Sequence, residues 1–219
     1  MPNSAGMKLP PAYQDLLLSD LEPGQIYRRC LEQMAREGLA TDYALTEAVV
    51  YGCEVRYAIQ ILRDGRPPSW YNFGDLKGDA DARLWSVLDR LPEKRIAFVG
   101  SGPYPITAIL VQERYPGAAV TCIDNNVVAY FLSQAIFEKL RLPIQICLAE
   151  AEDVDYSPFS ATIVAAMVSG KRQLLDRILN TSGSYVVLRG PAERAHPRVL
   201  AMGSTFRDDG SLDFAEHAG

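Results

Sequence analysis

A glycine turn and an acidic residue stand where a nucleotide-binding fold contacts its ligand. Gly100, Ser101 and Gly102 directly follow the apolar run RIAFV and precede a segment of helical pattern. Glycine permits a tight turn and close approach of a ligand to the backbone, and a helix start offers unpaired N–H groups. Asp124 ends the next apolar run, AAVTCID, where a carboxylate can accept hydrogen bonds from ribose hydroxyls. We expect nucleoside binding here; the alternative is a ligand-free turn between strand and helix.

The residues after the turn, Pro103, Tyr104 and Pro105, argue against a pyrophosphate ligand. The prolines remove N–H groups from the helix start and the tyrosine ring occupies the space beside it, so the affinity for anions falls. A ring face attracts a cation with about 0.5–2 kcal/mol. S-adenosylmethionine (SAM) carries adenine, ribose and a cationic sulfonium but no phosphate, so we expect SAM as the ligand. Tyr104 is a catalytic candidate that orients SAM or faces its sulfonium; the alternative is a ring packed in the core.

The third apolar run ends in CLAEAED, where folds of this kind contact adenine. The acids there are Glu150, Glu152 and Asp153. Glu150 is the expected contact, with Ala149 beside it, and Glu152 is better explained as a solvated acid. Asn125 either contacts the cofactor or, like Asn126, caps the following helix. The predicted cofactor-binding residues are Gly100, Ser101, Gly102, Pro103, Asp124, Asn125, Ala149 and Glu150.

Four segments of the sequence together carry a family signature. KRIAFVGSGPYPITAILV combines a strand, a GSGP turn and a threonine-containing helix, and SWYNFGDL is an aromatic-Asn-aromatic stretch. ATIVAAMVSGKRQLLDRIL and GSYVVLRGPAERA supply a fourth and a fifth strand. These segments, within residues 69–195, resemble the nicotianamine synthases and the related bacterial enzymes that build opine-type metallophores. The GSGPxP turn is the most specific of the four.

The resemblance implies an unusual use of SAM, in which its 3-amino-3-carboxypropyl (aminobutyrate) arm is transferred. An amine nitrogen attacks the γ-carbon of the arm and methylthioadenosine (MTA) leaves. Such a reaction needs the nucleophile held about 3–3.5 Å from that carbon and a base for the amine proton. The acceptor is either an amino acid, as in nicotianamine synthesis, or SAM's own amine, which would give azetidine-2-carboxylate. A conventional methyltransferase and a non-catalytic SAM-binding module are further alternatives; the prolines and the missing third glycine disfavour an NAD oxidoreductase.

Two further residues are catalytic candidates. Ser169 follows the fourth strand, at the sheet edge where doubly wound folds bind ligands. The family places a glutamate shortly after its aromatic stretch to manage the incoming amine, and the nearest positions here are Asp79 and Asp81. We take Asp81 as the candidate; the alternative for either aspartate is a helix N-cap.

The predicted substrate-binding residues come from three parts of the chain. Arg189 ends the fifth strand and could pair bidentately with a substrate carboxylate or form a surface salt bridge. Tyr71 and Asn72 could form the wall of a lid or an exposed linker. Met167, in the segment after the fourth strand, completes the set.

Five short apolar runs must position these residues: RIAFVG, AAVTCID, IQICLAE, ATIVAAMV and SYVVLRG. They are continuous rather than alternating, as strands covered on both faces are, and helical segments separate them. This predicts an α/β fold with a Rossmann-like doubly wound parallel sheet of the class I SAM-dependent methyltransferase type. The C-terminal stretch has no comparable apolar run, so we expect about five strands or rudimentary last elements.

A small helical region precedes this sheet, and we divide the chain into residues 1–92, which could act as a lid, and 93–219, the SAM-binding domain. PGQIYRRCLEQMAREG and TDYALTEAVVYGCEVRYAIQILRDG predict helices. The second has Thr41 or Asp42 as its N-cap and Gly65 as its terminator. Its apolar residues recur at helical spacing: Leu45, Val49, Ala58, Ile59 and Leu62.

The composition excludes several classes of function. A net charge of -5 and a pI near 5.1 argue against nucleic acid as a partner. The four cysteines lack metal-ligand spacing, and Cys122 and Cys147 lie in apolar runs, which predicts buried free thiols in a reducing cytoplasm. The two histidines lie near the C-terminus, which disfavours a histidine metal site or a Ser-His-Asp triad. No apolar run has the length of a membrane span. We expect a cytoplasmic protein with small-molecule substrates and no metal; the oligomeric state stays undetermined.

Overall fold

The computed structural model describes residues 9–39, 42–65, 79–189 and 196–202. Its centre is a six-stranded sheet in the order β3-β2-β1-β4-β5-β6, with every neighbouring pair parallel. The predicted α/β doubly wound fold is confirmed. The strands are β1 (Arg95–Val99), β2 (Ala119–Asp124), β3 (Gln145–Leu148), β4 (Ala161–Val164), β5 (Tyr185–Arg189) and β6 (Val199–Met202).

The strand order reverses between β1 and β4, and this reversal determines where a ligand can bind. Val99 pairs with Ile123 of β2 on one side and with Val164 of β4 on the other, so β1 and β4 end level and β2 ends one residue beyond them. In open parallel sheets the crevice beyond the carboxyl ends at such a reversal is the usual ligand site. β6 has four residues, as many as β3 and β4, so the run VLAM forms a sixth strand that the sequence analysis did not place.

Helices cover the sheet and begin and end at the predicted signals. The Asp42 carboxylate accepts the Leu45 N–H at 3.0 Å, and Gly65, with a φ of 70°, ends the same helix. Asn126 caps another helix by accepting the N–H groups of Val128 and Ala129. The helices are α1 (Pro11–Leu18), α2 (Pro23–Arg36), α3 (Tyr43–Asp64), α4 (Asp79–Asp89), α5 (Ile106–Arg114), α6 (Val127–Leu140) and α7 (Lys171–Thr181).

Helix α3 belongs to two hydrophobic clusters at once. Val49 and Cys53 pack with the N-terminal helices α1 and α2, whereas Tyr57 and Ile61 pack in the cluster that covers one face of the sheet. The sequence predicts Ile59 on the apolar face of α3, and this prediction is wrong because the residue is 54% exposed. The buried residues of this helix are spaced three or four apart, as in Tyr57 and Ile61, and Ile59 points away from that face. The division at residue 92 and the lid stay predictions.

Cys147 corrects the expectation of buried thiols. All four cysteines are free, and Cys122 is buried, but Cys147 is exposed. The reason is that β3 is an edge strand, and its apolar residues have neighbours on one side only. Within the described ranges, no helix combines the length and the apolar character needed to cross a bilayer.

Candidate active site

The glycine turn after β1 requires glycine at two positions. Gly100 and Gly102 have φ angles of 71° and 66°, in the left-handed region. A Cβ atom on Gly100 would also collide with the Val168 side chain, in the loop after β4. The Gly100 N–H donates to the Ile123 carbonyl at 2.8 Å, so the turn is anchored to β2. The backbone between β1 and α5 is therefore held close to both neighbouring strand ends.

Asp124 holds this turn through its carboxylate. Its Oδ2 accepts the Gly102 N–H at 2.8 Å and its Oδ1 accepts the Asn126 N–H at 2.9 Å. The residue is only 8% exposed, and burial raises the pKa of Asp124 while the backbone N–H donors oppose that rise. Each carboxylate oxygen can accept two hydrogen bonds. Asp124 can therefore support the turn and still accept a ligand hydroxyl.

Glu54 of α3 lies directly over the turn, and sequence reasoning missed it. A Cβ atom on Gly102 would stand 2.6 Å from Oε2 of Glu54. Burial, followed by the negative charge of Asp124, raises the pKa of Glu54 to about 8. One helical turn earlier, the Tyr51 hydroxyl donates to Oδ1 of Asn126 at 3.1 Å. Helix α3 thus places a carboxyl group that holds its proton near neutral pH beside a second carboxylate.

A signal for Glu54 exists in the sequence. Glu54 stands three, four and seven residues before Tyr57, Ala58 and Ile61, so helical periodicity places it beside the apolar face of α3. Glutamate is rarely buried without a partner. The helical periodicity alone does not show which partner it meets, because that depends on where α3 crosses the sheet.

The Tyr104 side chain is buried near the Glu54 carboxyl group rather than open to solvent. Its ring is 2% exposed and stacks on Tyr57, with centroids 5.0 Å apart and an interplanar angle of 20°. Burial, with contributions from Tyr57 and Glu54, raises the pKa of Tyr104. The stacking supports the packing interpretation in this structure. The predicted role beside the sulfonium stays a prediction.

The remaining predicted cofactor residues line the ends of β2 and β3. Asn125 donates from Nδ2 to Oε2 of Glu150 at 3.0 Å, and the Ala149 N–H donates to the Asp124 carbonyl at 3.0 Å. Ser101 is 4% exposed, and its hydroxyl lies near the buried Cys122 thiol. Pro103 is also buried.

The predicted substrate residues that the structure describes follow β4 and β5. Met167 is partly buried and Ser169 is exposed in the loop after β4, and Arg189 is partly buried at the end of β5. Tyr71 and Asn72 lie outside the described residues, and Asp81 is on α4 with a side chain that is not described. The described part of the chain contains no cluster of three or more His, Cys, Asp or Glu residues suited to a metal ion.

Replacing Gly102 by alanine should test the contact between the turn and Glu54. The left-handed backbone costs about 1–2 kcal/mol for a residue with a Cβ atom, and the Glu54 carboxyl must also move. We expect Gly102→Ala to lower the free energy of unfolding in urea by more than this backbone cost alone, because Glu54 must also move. The substitution should also weaken ligand binding. Gly38→Ala is the matched control, because Gly38 has the same left-handed backbone, with a φ of 70°, and a Cβ there meets nothing within 4 Å. Equal effects of the two substitutions would contradict the assigned contact.

Comparison with known proteins bears on the fold. No protein-family model and no curated protein matches the sequence. Among solved structures, a glutamate-to-glutamine variant of MtNAS, a nicotianamine synthase, is similar with a TM-score of 0.56 and 19% identity, over 83% of this chain and 70% of that chain. The fold is similar to that of nicotianamine synthase. The resemblance seen in the sequence is thus confirmed for the fold.

Two ligand complexes of the same synthase are also similar. The variant in complex with S-adenosylmethionine has a TM-score of 0.58 and 16% identity, over 85% of this chain and 77% of that chain. MtNAS in complex with MTA and tNA has a TM-score of 0.50 and 17% identity, over 77% of this chain and 66% of that chain.

Proposed function

We propose that this chain is a SAM-dependent enzyme that uses the aminobutyrate arm of SAM and releases MTA. The observation that carries the proposal is the pair of carboxyl groups, Glu54 and Asp124, on either side of the Gly102 turn. SAM has two cationic groups, the sulfonium and the α-ammonium, and no phosphate. An acidic turn with Pro103 and Pro105 at the following helix start suits such a ligand better than a pyrophosphate.

The similar structures support the same choice of ligand. One synthase structure contains S-adenosylmethionine and another contains MTA, which is what remains of SAM after loss of the aminobutyrate arm. Asp124 then accepts hydrogen bonds from the ribose, and Asn125 and Glu150 lie where the adenine is expected.

Glu54 supplies the proton acceptor that the reaction requires. The lone pair of an amine attacks the γ-carbon, the C–S bond breaks, and its electron pair returns to sulfur, so neutral MTA leaves. The amine loses a proton, which passes to the Glu54 carboxylate. A cationic ligand beside the pair favours the ionised form of Glu54, so binding of SAM prepares the base.

The same geometry serves an intermolecular or an intramolecular acceptor. An amino acid bound beyond β4 and β5 would give a nicotianamine-like product. SAM's own amine, close to the glycine turn, would give azetidine-2-carboxylate. We place transfer to an amino acid first, since the similar structures include a synthase with both MTA and tNA.

Incubation with SAM alone and with a panel of amino acids, followed by mass spectrometry, tests the proposal. We expect MTA at a rate well above that of heat-denatured protein, which corrects for the spontaneous loss of MTA from free SAM. A mass equal to acceptor plus aminobutyrate assigns transfer, and azetidine-2-carboxylate from SAM alone assigns cyclisation. S-adenosylhomocysteine would instead show methyl transfer, and SAM binding without any product would show a binding module; either result contradicts the proposal.

A further inference from the structure

Lys171 connects the carboxyl ends of two neighbouring strands. It is the first residue of α7, and its Nζ donates to the carbonyl oxygens of Ala166 and Arg189, the latter at 3.0 Å. Ala166 comes just after β4 and Arg189 ends β5, and these strands are paired in parallel. The ammonium group therefore lies between the two strand ends, next to the loop that carries Met167 and Ser169.

This amino group forms no salt bridge with a carboxylate among the residues that the structure describes. The salt bridges there join Arg63 with Asp64, Arg95 with Glu93 and Arg114 with Asp89. Burial alone lowers the pKa of Lys171 to about 8. A partly buried cation is costly unless it is paired, and the two carbonyls use two of the three N–H bonds. The third N–H can donate to an anionic ligand.

Charged residues of both signs lie along the sheet edge, and Glu152 lies beside Gly170, the residue before Lys171. Glu54 and Asp124 lie at the β1 and β2 ends, whereas Lys171 and Arg189 lie at the β4 and β5 ends. An amino acid carries an ammonium group and a carboxylate a few ångströms apart. An amino acid bound along this edge can direct its ammonium group toward Glu54 and Asp124 and its carboxylate toward Lys171.

We propose that Lys171 binds the α-carboxylate of the amino acid substrate at the ends of β4 and β5. The inference rests on the proposed function for the identity of the ligands. The carboxylate can come from SAM itself or from an acceptor amino acid, and the chemistry at Lys171 is the same in both cases. Binding of the carboxylate also offsets the cost of the partly buried ammonium group.

Three substitutions at Lys171 separate its charge from its structural contacts. Lys171→Gln keeps N–H donors for the carbonyls of Ala166 and Arg189 but removes the charge, Lys171→Arg keeps the charge, and Lys171→Met removes both. Lys139→Gln, on the exposed side of α6, is the matched control. Calorimetry measures the affinities for SAM and for MTA, which lacks the carboxylate, and steady-state kinetics measures KM and kcat for amino acids that support turnover.

We expect Lys171→Gln to weaken carboxylate binding about 10- to 100-fold and Lys171→Arg to recover most of it. Weaker binding of SAM with unchanged binding of MTA assigns the carboxylate of SAM. Unchanged SAM affinity with a raised KM for the acceptor and unchanged kcat assigns the acceptor's carboxylate. Equal losses for SAM and MTA, or no loss in any measurement, would overturn the inference.

The failure of this inference is distinguishable from the failure of the proposed function. Absence of MTA release by the wild-type protein contradicts the function. The comparison of SAM with MTA affinity in the Lys171 variants needs no turnover, and it reports on the carboxylate contact alone.

Discussion

Glu54→Gln is expected to slow MTA release by about 100- to 10,000-fold, the usual contribution of a positioned general base. Glutamine has nearly the shape of the protonated glutamate that occupies the site near neutral pH, so the Gly102 turn should keep its conformation. Glutamine cannot accept a proton from the attacking amine. The affinity for MTA, measured by calorimetry, should stay within a few-fold of wild type.

The pH profile provides a second measurement of the same residue. The base must be ionised to act, and the pKa of Glu54 in the free protein is about 8. In the wild-type protein kcat/KM should therefore rise about tenfold per pH unit below that value and level off above it. We call this rise of kcat/KM with pH the pH limb, and in Glu54→Gln it should disappear.

The control for Glu54→Gln is the same substitution at a second glutamate of α3. Glu47 is a partly buried glutamate of the same helix, and burial raises its pKa as well. Glu47→Gln should keep both the rate and the pH limb. If Glu54→Gln retained wild-type turnover, or if the pH limb persisted in it, Glu54 would not be the proton acceptor.

The same substitution should stabilise the ligand-free protein. The folded pKa of Glu54, about 8, lies above its ordinary value of 4.5, so the folded state binds more protons than the unfolded state between these values. Wild-type stability therefore falls as the pH rises through that window. The Tm of Glu54→Gln should exceed that of the wild-type protein by a margin that grows from about pH 5 to pH 8. Each unit by which folding raises the pKa of Glu54 corresponds to about 1.4 kcal/mol of unfolding free energy.

Asp124→Asn is expected to weaken SAM and MTA equally, by about 10- to 100-fold. Both ligands contain the ribose that Asp124 is proposed to bind. In the protein, the two carboxylate oxygens accept the N–H groups of Gly102 and Asn126. An asparagine side chain has one acceptor oxygen, and its NH₂ group would face one of these donors. The turn and the ribose contact should both be impaired, which calorimetry and a lowered Tm would show.

A coupled effect on Glu54 distinguishes this substitution from simple unfolding. The negative charge of Asp124 helps to raise the pKa of Glu54, so Asp124→Asn should move the pH limb of kcat/KM to lower pH. Asp176→Asn, at an exposed position of α7, is the control and should change neither affinity nor pH limb. Unchanged affinities in Asp124→Asn would remove Asp124 from the site.

Local sequence signals were sufficient for most of the fold. The five apolar runs became β1 to β5, and Asp42, Gly65 and Asn126 begin or end their helices as predicted. These features depend on residues adjacent in the chain, because an N-cap needs a side chain within three positions and a left-handed terminator needs only glycine. The glycine turn and Asp124 belong to the same class, since each follows directly from the end of a strand.

Some sequence-based predictions lie beyond what the structure describes or decides. Tyr71 and Asn72 fall outside the described residues, and the Asp81 side chain is not described. Their proposed roles, like the division of the chain at residue 92, stay predictions. Ser169 follows β4 and Arg189 ends β5, and their roles stay predictions.

The sequence by itself determined the sheet, the glycine turn and the acid at the end of β2, because these arise from short-range patterning. Only the tertiary structure decided what faces them. Glu54 reaches the turn because α3 packs across the sheet, Cys147 is exposed because β3 is at an edge, and Lys171 meets two carbonyls because β4 and β5 are neighbours. Each depends on which elements lie side by side, and periodicity within one segment carries no information about that arrangement.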